Sequence, residues 1–63
     1  MTLKDAKNLR IGAKVKHKNG MKLEVCGLHE FIPALGGNTI IYVRCEAEDG
    51  SMMKFSHKEL NQI

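Results

Sequence analysis

There is no tryptophan in this chain of 63 residues, a single tyrosine (Tyr42) and only two phenylalanines, Phe31 and Phe55. A core built from such a sequence has to be aliphatic, with Met21, Met52 and Met53 as adaptable fillers. No apolar run approaches the length of a membrane span, and the opening Met-Thr-Leu-Lys-Asp-Ala-Lys-Asn is too charged for a secretory signal. A cytoplasmic protein with no membrane association is the expectation. Two cysteines, Cys26 and Cys45, are sparse for a disulfide scaffold, which favours reduced thiols. A phosphate-binding glycine loop is missing as well, because Gly36-Gly37 is followed by neither the lysine nor the helix that such a loop needs.

What is present is enough for one small domain, residues 1–63, in which every element must share a single core. The most informative stretch runs from Gly12 to Gly27, where two alternating runs flank Asn19-Gly20. A two-residue Asn19-Gly20 loop would pair Val15 with Glu24 and Lys16 with Leu23, mixing apolar and charged side chains on one face. A three-residue loop, Lys18-Asn19-Gly20, with Gly20 in the left-handed conformation, instead pairs His17 with Met21, Val15 with Leu23 and Ala13 with Val25. One face is then apolar throughout. The other places Lys14 opposite Glu24 and Lys16 opposite Lys22.

Thr39 to Ala47 is the strongest strand signal, rich in β-branched residues, and Glu48-Asp49-Gly50 repeats the logic of the first turn. It pairs Cys45 with Met53 and Val43 with Phe55, leaving Arg44 opposite Lys54 outside. Between the hairpins, Leu28 to Asn38 contains Pro33 and Gly36-Gly37 and reads as a long loop. Its Phe31, Ile32 and Leu35 either fold back to plug one end of the sheet or form an exposed contact patch. At the N-terminus, residues 1–10 form a short helix or a flexible arm. For the helix, Thr2 is the N-cap, Asp5 reaches back to it, and Leu3, Ala6 and Leu9 dock on the sheet. Ser56-His-Lys-Glu59 is a second capping-box pattern, opening a helical turn over about residues 57–61 that carries Leu60 into the core, with Ile63 following.

These pieces assemble into a mainly β fold: a bent sheet of about five strands closed by a short turn, an SH3-like barrel. The expected inner face is Val15, Leu23, Val25, Ile41, Val43, Cys45, Met53, Phe55 and Leu60, helped by Leu9 and Ile11. An oligonucleotide-binding barrel is the alternative, although it normally needs longer strands.

Ile11-Gly12-x-x-Val15 leading into a hairpin, Lys18-Asn19-Gly20-Met21, Val43-x-Cys45, a glycine turn, and Phe55 followed by Leu60 together resemble the small bacterial SH3-like proteins of the YodC type over residues 11–60. Two departures stand out. Glu46-Ala47 occupies the place where that type carries a tryptophan after the cysteine, and the central loop is longer. The resemblance implies a fold but no settled activity, and no site residues are carried over from it. The glycine-bracketed first hairpin is also similar to KOW-type barrels of ribosomal and transcription factors, an analogy that points to nucleic acid.

Several constellations of side chains bear on chemistry. Cys26, His29, Cys45 and His57 make a ligand set suited to zinc, but pairing turns Cys26 outward and Cys45 inward and the spacing matches no familiar finger. The same opposition argues against a Cys26–Cys45 disulfide, so no metal and no cofactor is expected. Nucleophilic catalysis lacks an acid near Cys26 and His29, and a barrel this small has no deep cleft, so no enzyme is expected. His17 is either a pH-responsive group or a barrel-mouth histidine with a backbone partner.

Charge gives the clearest functional lead. Residues 1–22 hold seven Lys and Arg against one Asp, whereas residues 23–63 hold three against six acids. The like-charge pairs Lys16–Lys22 and Arg44–Lys54 each cost roughly 0.2–1 kcal/mol, which an anionic partner would relieve. With Lys14, Lys18, Lys4, Lys7 and Arg10 they outline a basic track for the phosphates of RNA or DNA, and Tyr42 is the one stacking residue beside it. The bland account is that the lysines splay into solvent, with Glu24 and Glu46 as diagonal partners. The functional alternative is a protein partner or self-association through Phe31, Ile32 and Leu35.

Overall fold

Gly20 and Gly50 decide the architecture, each ending a three-residue hairpin loop at positive φ (99° and 90°), where a side chain would be strained. Around Gly20, the His17 amide donates to the Met21 carbonyl (2.8 Å) and the Gly20 amide to the His17 carbonyl (2.8 Å). Around Gly50, the Ala47 amide donates to Ser51 (2.9 Å) and the Gly50 amide to Ala47 (2.9 Å). Asn19 Oδ1 and Asp49 Oδ1 each accept from the amide two residues on, both at 2.9 Å, so the two turns share side-chain chemistry as well as backbone.

The computed structural model describes residues 1–63. Helix α1 (Leu3–Lys7) precedes strands β1 (Lys14–His17), β2 (Lys22–Phe31), β3 (Ile40–Ala47) and β4 (Met52–Ser56), a 3₁₀ turn (His57–Glu59) and β5 (Leu60–Gln62). All pairings are antiparallel, in the order β4-β3-β2-β1-β5. If flat, such a sheet would hold its edge strands roughly 19 Å apart. Yet the chain steps from Ser56 to Leu60 through three intervening residues, a reach of at most about 14 Å. The sheet must therefore curl, and the ring of His17 on β1 lies 4.4 Å from that of Phe55 on β4 across its interior. The result is a small β-barrel-like fold, 48% strand.

Both hairpin registers are as expected: Val15 faces Leu23 and Lys16 faces Lys22, while Cys45 faces Met53 and Arg44 faces Lys54. Ala6, Leu9, Val15, Leu23, Val25, Ile41, Val43, Cys45 and Leu60 form the buried core. Each fully buried aliphatic side chain in it is worth about 1.5–3 kcal/mol. Two histidines join it without leaving a fully buried side-chain nitrogen unpaired. His57 Nδ1 accepts from the Ile41 amide (3.2 Å) and His17 Nδ1 from the Asn19 amide (3.1 Å), which makes His17 the barrel-mouth histidine with a backbone partner.

Four expectations about the ends and the core are corrected. Ile11 is 69% exposed, because the Ala13 amide bonds back to Arg10 and the resulting turn swings Ile11 outward. Met53 and Phe55 are only half-buried, since β4 is an edge strand, although Phe55 still packs on the core. The closing helical turn stops at Glu59, so that Leu60–Gln62 pairs with β1 as a strand, and Ile63 stays exposed. At the N-terminus Thr2 Oγ1 accepts from the Asp5 amide (3.2 Å), but only this half of the expected box forms. The segment is a helix rather than a free arm, held by Ala6 and Leu9 in the core and by the Met1 amine donating to the Leu60 carbonyl (2.6 Å). In the second box, Glu59 Oε2 accepts from the Ser56 amide (3.2 Å).

The largest correction concerns the central segment. Residues 28–31 are not loop: β2 runs on to Phe31, paired with β3 as far as Phe31–Ile40. A bulge between Val25 and Gly27 makes this possible by shifting the parity of the strand. Even-numbered residues of β2 face outward before it; odd-numbered ones do so after it.

Candidate nucleic-acid interface

The outer face of the sheet is a set of rows fixed by register. Lys16 and Lys22 stand together beside Asn61 in the first row. The second holds Lys14, Glu24, Glu46 and Met52, and the third Gly27, Arg44 and Lys54. His29, Tyr42 and Ser56 follow, and Phe31 with Ile40 makes the last. Cationic rows thus lie on either side of an acidic one.

Lys14 is spent within this pattern, its Nζ bonded to Glu24 Oε1 at 2.5 Å. Lys16, Lys22, Arg44 and Lys54 are exposed, and none makes an ion pair. Lys18 joins the first row at the hairpin tip, where its backbone amide is anchored to the Glu59 carbonyl (3.0 Å). Lys4 and Lys7 do not belong to this surface. Helix α1 buries Ala6 against the inner side of the sheet, and Lys7 reaches Glu30 there at 3.8 Å. The continuous track expected from the N-terminal lysines is therefore broken into two surfaces.

Tyr42 lies on the outer face as expected, beside neighbours that are distant from it in sequence. Lys54 Nζ stands 5.3 Å above the centre of its ring, and the Phe31 ring meets it edge-on at 6.5 Å. The sequence places Phe31 in a separate loop, because the bulge that turns it onto the outer face beside Tyr42 leaves no mark in the sequence beyond Gly27. Phe31, Ile32 and Leu35 do not plug the barrel: they are 46%, 68% and 102% exposed. Ile32 and Leu35 lie in the loop beyond the ribbon, so the three residues do not form one packed cluster.

The four potential zinc ligands are not brought together, and no group of three or more His, Cys, Asp and Glu could hold a metal. His57 uses Nδ1 on a backbone amide, His29 is exposed, and Cys26 is half-buried on the bulge. Burial pushes the Cys45 thiol up to about 11, and the nearby Cys26 adds to the shift, so Cys45 stays protonated and inert at neutral pH. Both thiols are free. The depressions on the surface are open to solvent; the one beside β1 has Lys14, Lys22, Glu24, Glu46 and Glu48 in its lining, and the one on α1 has Lys4 and Lys7 with no acid. No helix is long and apolar enough to cross a membrane. Comparison with protein-family models, curated proteins and solved structures gives no match.

Proposed function

We propose that this chain is a non-enzymatic, cytoplasmic binding module of the SH3-like, YodC-like kind, which binds nucleic acid weakly through its phosphates. The observation that carries this reading is the survival of both like-charge pairs, Lys16–Lys22 and Arg44–Lys54, directly opposed on one exposed face. Each pair costs stability in the free protein, and a phosphate chain laid across the rows would turn both into favourable contacts. The acidic row between them favours a ligand that bridges the cationic rows over one that fills the space between. Backbone-directed contacts of this kind carry little sequence information.

The test is an amide NMR titration of the full chain with mixed-sequence RNA and duplex DNA at low and near-physiological salt, repeated on Lys22→Glu/Lys54→Glu. Wild type should shift around residues 16–22 and 44–54 with an affinity that falls steeply with salt, and the double variant should lose the effect. Absence of any shift at low salt, or binding unchanged in the double variant, overturns the proposal.

A further inference from the structure

The outer face changes character beyond the bulge. On the hairpin side it alternates cations with Glu24 and Glu46, whereas from Gly27 onward it carries Gly27, His29 and Phe31 on β2 and Ile40, Tyr42 and Arg44 on β3. No carboxylate falls on this half. Glu30, the one acid of the segment, has opposite parity and is taken up by Lys7 behind the sheet.

The ribbon also projects. β1 and the residues before it accompany β2 only as far as Val25 and β4 accompanies β3 only as far as Tyr42, but β2 and β3 stay paired through Phe31 and Ile40, and the molecule measures 38 × 21 × 18 Å. Phe31 is 46% exposed and makes one ring contact, with Tyr42. Between them and Arg44 the surface is open, because a side chain at Gly27 would meet nothing nearer than Arg44 Cδ at 3.8 Å. Aromatic faces next to cations, with no acid on the same surface, suit a ligand that is flat, apolar on its faces and joined to negative charge. An apolar protein partner would gain nothing from the cations.

On the basis of the phosphate-binding reading above, we infer that Phe31, Tyr42 and His29 stack unpaired nucleobases while Arg44 and Lys54 hold the adjoining phosphates. Single-stranded nucleic acid is then the preferred ligand. A duplex keeps its base faces stacked on one another and reaches only the cations.

The experiment compares a short uridine oligonucleotide with a mixed-sequence duplex, for wild type, Phe31→Leu and Phe31→Trp. Tyr42, the only tyrosine in a chain without tryptophan, reports stacking by quenching of its emission in wild type and Phe31→Leu. Wild type should bind the single strand more tightly and show quenching with it alone. Phe31→Leu, conservative at an exposed position, should weaken single-strand binding by about tenfold, at the lower end of the effect of one lost stack, and leave duplex binding unchanged. Phe31→Trp should retain single-strand binding. Equal affinity for both ligands, or no effect of Phe31→Leu, overturns the stacking inference while leaving phosphate binding intact. Loss of all binding in wild type overturns both. A doubled mass without oligonucleotide shifts overturns both as well, and makes the ribbon a contact between copies.

Discussion

Leu23 and Leu28 lie on the same strand and both turn to its inner side, yet one is 3% exposed and the other 39%. The difference lies in what surrounds them. Leu23 sits where β1, β2 and β3 run side by side around the core; Leu28 sits past the bulge, where β2 keeps β3 as its only strand partner. One strand thus serves a packed half that supplies the stability and a projecting half that offers surface. The bulge at Val25/Gly27 is the boundary between the two.

The sharpest way to break this comparison is to truncate both leucines. Leu23→Ala should cost about 2–5 kcal/mol, enough to unfold much of so small a domain, while Leu28→Ala should cost about 1 kcal/mol or less in urea unfolding. Similar losses would mean that the ribbon is part of the core. A second test uses Cys45, wholly buried in the packed half. Its folded-state value of about 11 lies above the ordinary 9.0, so the folded chain holds the thiol proton more tightly than the unfolded chain. That contribution is whole below pH 9 and is lost as the pH rises toward 11, a fall of about 2–3 kcal/mol. Urea midpoints across the interval should show it, and Cys45→Ala should remove this part of the slope.

Glycines sharpen the contrast further. Gly20→Ala forces a side chain into positive φ and should destabilise by about 1–2 kcal/mol, whereas Gly27→Ala, with ordinary backbone and open space, should change stability by less than about 0.5 kcal/mol. The smallest effect has the opposite sign. Lys16→Glu places an acid opposite Lys22 and should stabilise the free protein by about 0.2–1 kcal/mol while weakening polyanion binding. A variant that gains stability and keeps full binding would dissociate the like-charge pair from function.

The packed half was legible in the sequence, and the projecting half was not. In the hairpins, alternation and turn chemistry point to one register, because a slip by one residue would bury lysines. Past the bulge those signals fail together. Leu28, His29, Glu30 and Phe31 are all exposed, so no buried face imposes alternation, and Pro33 with Gly36-Gly37 makes the stretch look like loop. What holds residues 28–31 in a strand is the backbone of β3, a partner that local sequence does not reveal. Ile11 fails for a related reason: its position depends on a turn that carries no distinctive residue before Gly12. The candidate site divides along the same line. The charged rows followed from hairpin register, while the meeting of Phe31 with Tyr42 depended on the bulge.

The pairing of β1 with β5 has a consequence for synthesis. Strands β2, β3 and β4 are neighbours in sequence as well as in space and can pair as soon as each is made, but β1 has to wait for its second partner until β5 has followed all of them. Leu60, wholly buried, is made only after the rest of the core, so until then the emerging chain carries an unfilled place there. For this protein the slow step of folding is expected to be the docking of its last strand onto one of its first, a long-range closure that local turn chemistry cannot speed.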